Sequence, residues 1–211
     1  MYIQFIHHCP APGKGPELRA LLEEWAKTAP ARGFRHNLGS RILGPEGQDF
    51  VNGIQHEDLA AFETYPQRSQ ANPAFATFSA RQQPLLSRPA VTDLYEVLVP
   101  APAGPRRFTY RVGLYPAIGK GPAVRGLLED RVKALQGRGF LYGLQAKMFS
   151  EDGPVFAAGI GFEDLTALET YLQNNRRDPE FQAFNEKIQP LLGRPIKSEL
   201  YQVLVPFPPR S

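Results

Sequence analysis

The side chains best suited to chemistry in this 211-residue chain are gathered at one end of it. Four histidines, the only cysteine and the only tryptophan all precede residue 60: His7, His8, Cys9, Trp25, His36 and His56. Taking residues 36–43 and 49–56 as a hairpin symmetric about Glu46, His36 and His56 stand directly opposite each other. Cross-strand Cβ atoms are about 5 Å apart, near enough for two imidazoles to share a proton. The plainer reading is a packed pair at the sheet end. Two imidazoles with no carboxylate or thiolate near them in sequence do not make a metal centre, so no metal is expected. His7 and His8 are consecutive on a strand and point to opposite faces. His8 reads as a core residue and His7 as a pocket residue. His7, His36 and His56 are thus the candidate bases.

Cationic strand residues add a second group. Arg41, Arg111 and Lys147 would favour an acidic ligand if they point inward, and are plain surface charge if they do not. Tyr115 joins them as a candidate binding residue. Trp25 lies on the apolar stripe of a helix and reads as core. Gly53, Gly159 and Gly161 interrupt a strand, which marks close approach to a helix or room for a ligand. The Gly-Lys-Gly loops at 13–15 and 119–121 lack the rest of a phosphate-binding motif and read as loop-to-helix turns.

The elements that must position these residues occur twice. Residues 2–100 align without a gap onto 108–206, and about 42 of the 99 pairs are identical. Such a period implies a duplicated domain. The boundaries are 1–100, a Pro-rich linker at 101–107, 108–206 and a tail at 207–211. Each half opens with a strand rich in aromatic and branched residues, at 2–9 and 108–115. A helix follows, with Leu18, Leu21, Leu22 and Trp25 at helical spacing in the first copy. Then come two strands around a turn signal, at 44–47 and 150–153. Glu-Asp-Leu at 57–59 and 163–165 opens a second helix. Asn72-Pro73 and Asp178-Pro179 cap a third. The last strands are 92–99 and 198–205. This order, β-α-β-β-α-β, is the split βαβ or ferredoxin-like unit. Its sheet has helices on one face only, and the simplest cover for the other is a second copy. The expected fold is therefore α+β, two tandem ferredoxin-like repeats forming an intrachain pseudo-dimeric α/β barrel.

Composition narrows the functional classes. Formal charge is +3 and the arginines are dispersed, so nucleic acid is not an expected partner. One cysteine allows no internal disulfide. No apolar run is long enough to span a bilayer, and no leader is recognised, so a cytoplasmic location and no membrane partner are expected.

Asp-Pro-Glu-Phe-Gln-Ala-Phe at 178–184, Lys-Ile-Gln-Pro-Leu-Leu at 187–192, Phe-Glu-Asp-Leu at 162–165 and the Gly-Lys turn after the first strand resemble the NIPSNAP family. That family belongs to the dimeric α/β-barrel superfamily, which also holds antibiotic-biosynthesis monooxygenases and haem-degrading enzymes. The resemblance implies a barrel made here by two repeats of one chain, with further homo-oligomerisation open. Many family members carry a histidine in the third strand, where this chain has Asn52 and Ala158. Asn52 is therefore a candidate ligand residue. A small apolar or weakly acidic molecule bound in the first half is the leading expectation. A cofactor-independent monooxygenase, with haem binding or breakdown as a special case, is the alternative. A non-catalytic interaction module is the third.

Overall fold

Branched and aromatic residues alternating with small or polar ones produce the strands, and proline or glycine ends them. The computed structural model describes residues 1–44, 47–150, 153 and 155–208. The turn signals at 44–47 and 150–153 and the tail at 207–211 lie partly outside the described residues. The elements run β1 (Tyr2–His8), α1 (Gly15–Lys27), β2 (Arg35–Leu43), β3 (Phe50–His56), α2 (Leu59–Gln70), α3 (Pro73–Gln82) and β4 (Val91–Val99). They continue as β5 (Phe108–Leu114), α4 (Gly121–Gly137), β6 (Leu141–Lys147), β7 (Phe156–Phe162), α5 (Leu165–Arg177), α6 (Pro179–Ile188) and β8 (Lys197–Val205). Strands hydrogen-bond in the order β1-β3-β2-β8-β5-β7-β6-β4, a closed barrel. The fold is α+β.

Two compact units divide the chain. Unit 1 holds residues 1–42, 46–95 and 203–211, and unit 2 holds 43–45 and 96–202. In unit 1, β3 is the central partner of β1 and β2, both antiparallel. Leu38 and Phe50 on one sheet face pack with Leu18, Leu22 and Ala26 of α1 and Phe78 of α3. Leu18 and Leu22 are almost fully buried, which contributes about 1.5–3 kcal/mol for each side chain. Trp25 stacks on Phe78 at a centroid distance of 4.4 Å and belongs to this core. In unit 2, β7 is central between β5 and β6, and β5 also pairs β8. Leu144, Phe156 and Ala158 face Val124, Leu128 and Val132 of α4.

Helix starts follow the sequence signals. The Asp58 and Asp164 carboxylates accept from the amides of Ala61 and Ala167, both at 2.7 Å. Asn72 and Asp178 do the same for Ala74 and Glu180. Gly13, at φ 75°, supplies the left-handed turn that leads into α1, so the Gly-Lys-Gly segment is a loop-to-helix turn.

Two expectations are corrected. His36 is opposite Ile54, not His56, because the β2–β3 register is centred one residue earlier than Glu46. The same shift places Tyr142 opposite Ile160 rather than Phe162. Gly53 does not make room for a helix. A Cβ there would lie 2.2 Å from Asn37 Oδ1 on β2 and 3.2 Å from the Phe5 ring on β1. At Gly161 the close neighbour is the Arg106 side chain.

Candidate functional site

Strand alternation separates the candidate residues of unit 1 onto two faces. Phe50, Asn52, Ile54 and His56 of β3 share the helix-facing side with His8, Gln4, His36 and Leu38, their register partners or alternates. His7, opposite Val51, points the other way. The structure therefore brings His36, His56 and Asn52 together and keeps His7 and Arg41 apart from them.

The helix-facing histidines are packed core. His56 Nε2 meets Gln4 Oε1 at 3.1 Å, and its ring lies edge-on to Tyr65 and Phe62. His36 is 3.4 Å from the Asn52 amide and 6.2 Å, ring to ring, from Tyr65. His8 Nδ1 accepts from the Gln82 Nε2 amide of α3 at 3.0 Å. Burial pulls His36 down to about 3, helped by Arg32 and His56. Burial likewise lowers His56 to about 4. It lowers His8 to about 4 as well, with His7 adding to the effect and Asp49 opposing it. All three are neutral imidazoles near pH 7.

On the opposite face is a charged cluster that strand patterning alone does not reveal. Arg41 is 2% exposed and Asp49 3%. Arg41 is thus not the surface charge of the plainer reading. Its Nη2 donates to Asp49 Oδ2 at 2.9 Å, and His7 Nδ1 lies 3.1 Å from the same oxygen. His7 Nε2 is 3.8 Å from Asp93 Oδ2. The backbone fixes the pair, since Arg41 N donates to Asp49 O just beyond the ladder of β2 and β3. A carboxylate only accepts, so His7 Nδ1 carries the hydrogen, and the ring is oriented between the Asp49 and Asp93 carboxylates. Asp49 Oδ1 is buried and has no hydrogen-bond partner among the described residues.

Asp49 and Asp93 are members that sequence reasoning missed. The available signal was the repeat. The positions 106 residues after His7, Arg41, Asp49 and Asp93 are Gly113, Lys147, Val155 and Glu199, so the second copy has neither the imidazole nor the first carboxylate. Its own candidates serve other contacts. Arg111 is opposite Glu199 in the β5–β8 ladder, and Glu199 accepts from the Tyr201 hydroxyl at 3.0 Å. Lys147 is half-buried at the end of β6, where its amide donates to Val155 O. Tyr115 folds back over Gly113, with Arg194 and Lys197 near its ring.

That last contact has a counterpart by absence. Tyr115 corresponds to Cys9, a much smaller side chain. Around Cys9, unit 1 has an open depression of about 610 Å³ lined by Cys9, Pro10, Gln48, Ser87 and Arg88. Its walls continue the strands of the cluster, because Cys9 follows His7 by two residues and Gln48 precedes Asp49. Arg88 Nε points at Cys9 Sγ from 3.2 Å.

No protein-family model matches the chain, and no curated protein matches its sequence. Solved structures do match. A candidate monooxygenase from Fusobacterium nucleatum superposes with a TM-score of 0.74 at 12% identity, over 100% of this chain and 98% of the other. An anthrone oxidase-like protein gives 0.63 at 15% identity, over 96% and 90%. A candidate chlorite dismutase gives 0.55 at 10% identity, over 96% and 94%. These likenesses extend along essentially the whole chain and define the fold class, an α+β barrel.

Haem was tested against the residues present. None of the four histidines lines the unit 1 depression; His36 and His56 are packed among aromatic side chains and His8 is against Gln82. The residues offer haem no histidine ligand on an open surface, and no step is assigned to it. Among the described residues no group of three or more His, Cys, Asp or Glu could hold a metal ion. No helix is long and apolar enough to cross a membrane.

Proposed function

We propose that the chain binds a small, weakly acidic or apolar molecule in unit 1, at the depression beside Cys9, two residues along the chain from His7. The observation that carries this reading is the Arg41–Asp49–His7 cluster, buried at Arg41 and Asp49, with a depression whose lining residues Cys9 and Gln48 adjoin it in sequence; the matching positions 106 residues on carry Lys147, Val155 and Gly113. Arg41 and His7 meet the same oxygen of Asp49, which orients His7, and Arg88 at the rim suits an acidic group. On this reading the chain is a NIPSNAP-like tandem duplication, with repeats 1–100 and 108–206, in which one copy retains a site and the other retains the fold. Asn52, Arg111, Tyr115 and Lys147 then serve packing and unit 2, and His36 and His56 are core.

Thermal unfolding against a panel of phenols, β-diketones and aromatic carboxylates tests it. At least one compound is expected to raise the midpoint, and Cys9→Tyr, which refills the depression as Tyr115 does, is expected to abolish the rise. A panel without effect, or an effect that survives in C9Y, overturns the proposal.

A second reading is cofactor-independent oxygenation, favoured by the fixed orientation of the His7 ring and by fold neighbours described as monooxygenase and anthrone oxidase-like. His7 would remove a proton from a CH2 group activated by an adjacent carbonyl or aromatic ring. Molecular oxygen is the oxidant: CH2 and O2 give C=O and H2O. An oxygen electrode with an anthrone-type substrate decides. Uptake is expected to fall about 10²–10⁴-fold in His7→Gln, the usual contribution of a positioned base. Uptake unchanged in H7Q removes His7 from the chemistry.

A further inference from the structure

A second depression lies in unit 2 and shares no lining residue with the proposed site. It measures about 360 Å³ and is lined by Phe140 and by α5 residues including Thr166, Ala167, Thr170, Tyr171 and Asn174. The volume is in the range of small-molecule pockets. The rim polar groups are already engaged. Thr170 donates to Thr166 O at 2.9 Å, and Asp164 accepts from Ala167 N. What remains for a ligand is ring and methyl surface, with Phe140 and Tyr171 set edge to face at 5.4 Å.

Unit 1 shows what such a surface accommodates. The residue matching Phe140 is Phe34, and the one matching Asn174 is Arg68. The flat guanidinium of Arg68 lies over the Phe34 ring at 4.8 Å, close against Gly33. A planar group thus already sits on this ring in one copy. In the other, the matching residue is the shorter Asn174, and Phe140 lines the depression. The charge of the occupant is set by its surroundings. Arg138 lies over the Phe140 ring at 6.0 Å and disfavours a second cation, and the Asp164 carboxylate in the lining disfavours an anion.

We infer that unit 2 binds an uncharged planar aromatic molecule of one or two rings on Phe140, in the place that the Arg68 side chain fills in unit 1. The site is independent of His7 and Cys9, so its failure leaves the reading of unit 1 untouched, and the reverse.

The test uses the full chain, isotope-labelled, titrated with indole and followed by NMR. Shifts are expected at Ala167, Thr170, Tyr171 and Asn174. Asn174→Arg, which restores the arm of unit 1, is expected to weaken binding at least tenfold. Residue 174 is exposed on a helix, so the variant keeps the fold, and Thr170→Trp fills the space by a second route. Arg68→Asn is expected to add a second set of shifts around Phe34. Benzamidine, planar but cationic, is expected to bind more weakly than indole. Indole shifts that avoid these residues, or that persist in both N174R and T170W, overturn the site. Benzamidine binding more tightly than indole overturns the ligand class.

Discussion

Asp49 is the residue on which most depends, because it holds two partners with one oxygen. Buried ion pairs contribute little net stability, yet removing one partner leaves a costly unpaired charge. Asp49→Asn is therefore expected to destabilise the protein by about 3–5 kcal/mol, read by urea unfolding, as Arg41 and His7 lose the carboxylate they share. The double change Arg41→Met with Asp49→Val, an apolar pair with the valine that unit 2 carries at residue 155, is expected to restore stability to within about 1–2 kcal/mol. On the proposed reading it would not restore ligand binding, since His7 then loses its contact with Asp49. A double variant as unstable as D49N would mean that the cluster is structural and has no separable role. The sequence exposed His7 and Arg41 as candidates, since charge and imidazole stand out in a strand. It did not expose Asp49, which sits one residue before β3, where a carboxylate is ordinary turn chemistry. Only the side-chain geometry shows that it points inward.

Among the elements, the faces of the unit 1 sheet differ in chemistry, and pH separates them. His8, His36 and His56 lie on the helix-facing side with folded-state pKa values of about 4, 3 and 4. The unfolded chain, with histidines near 6.5, binds the protons instead. Stability is then complete above about pH 6.5 and falls as pH drops toward 4, by up to about 1.4 kcal/mol per pH unit for each histidine. Transplanting the second copy's residues as His8→Leu, His36→Tyr and His56→Phe is expected to flatten that slope. An unchanged slope would place the titration elsewhere. Helix α2 makes a simpler test of the repeat. It contains Pro66, where α5 has Leu172. Proline inside a helix costs about 3 kcal/mol through a lost hydrogen bond and a ring clash. Pro66→Leu is expected to stabilise by a good part of this, seen as a higher thermal midpoint, and no gain would mean that α2 has adapted to the kink. Element order was legible because strand alternation, helix spacing and proline caps are local. The hairpin register was not, because a shift of two keeps every side chain on its face and so leaves the pattern unchanged.

For the molecule as a whole, the decisive fact is how the chain is shared between its compact units. Strand β4 begins in unit 1 and ends in unit 2, and β8 does the reverse. Both far ends are core: Val99 packs with Leu114, Val124 and Leu144, and Val205 with Leu18, Leu22 and Phe50. A fragment ending within the linker at 101–107 would keep β1–β3 but lack Val205, and would carry Val99 with nothing of its own to bury it. Leaving two such strand ends in water forfeits apolar burial that a small domain cannot spare. The fragment 1–103 is therefore expected never to exist as a stable folded monomer. Mixed with 104–211 it is expected to form a one-to-one complex, and alone, at micromolar concentration, to pair with itself by the same exchange of strand ends. Sedimentation together with circular dichroism reads both mass and fold. A folded, monomeric 1–103 would show that the crossing strands are dispensable.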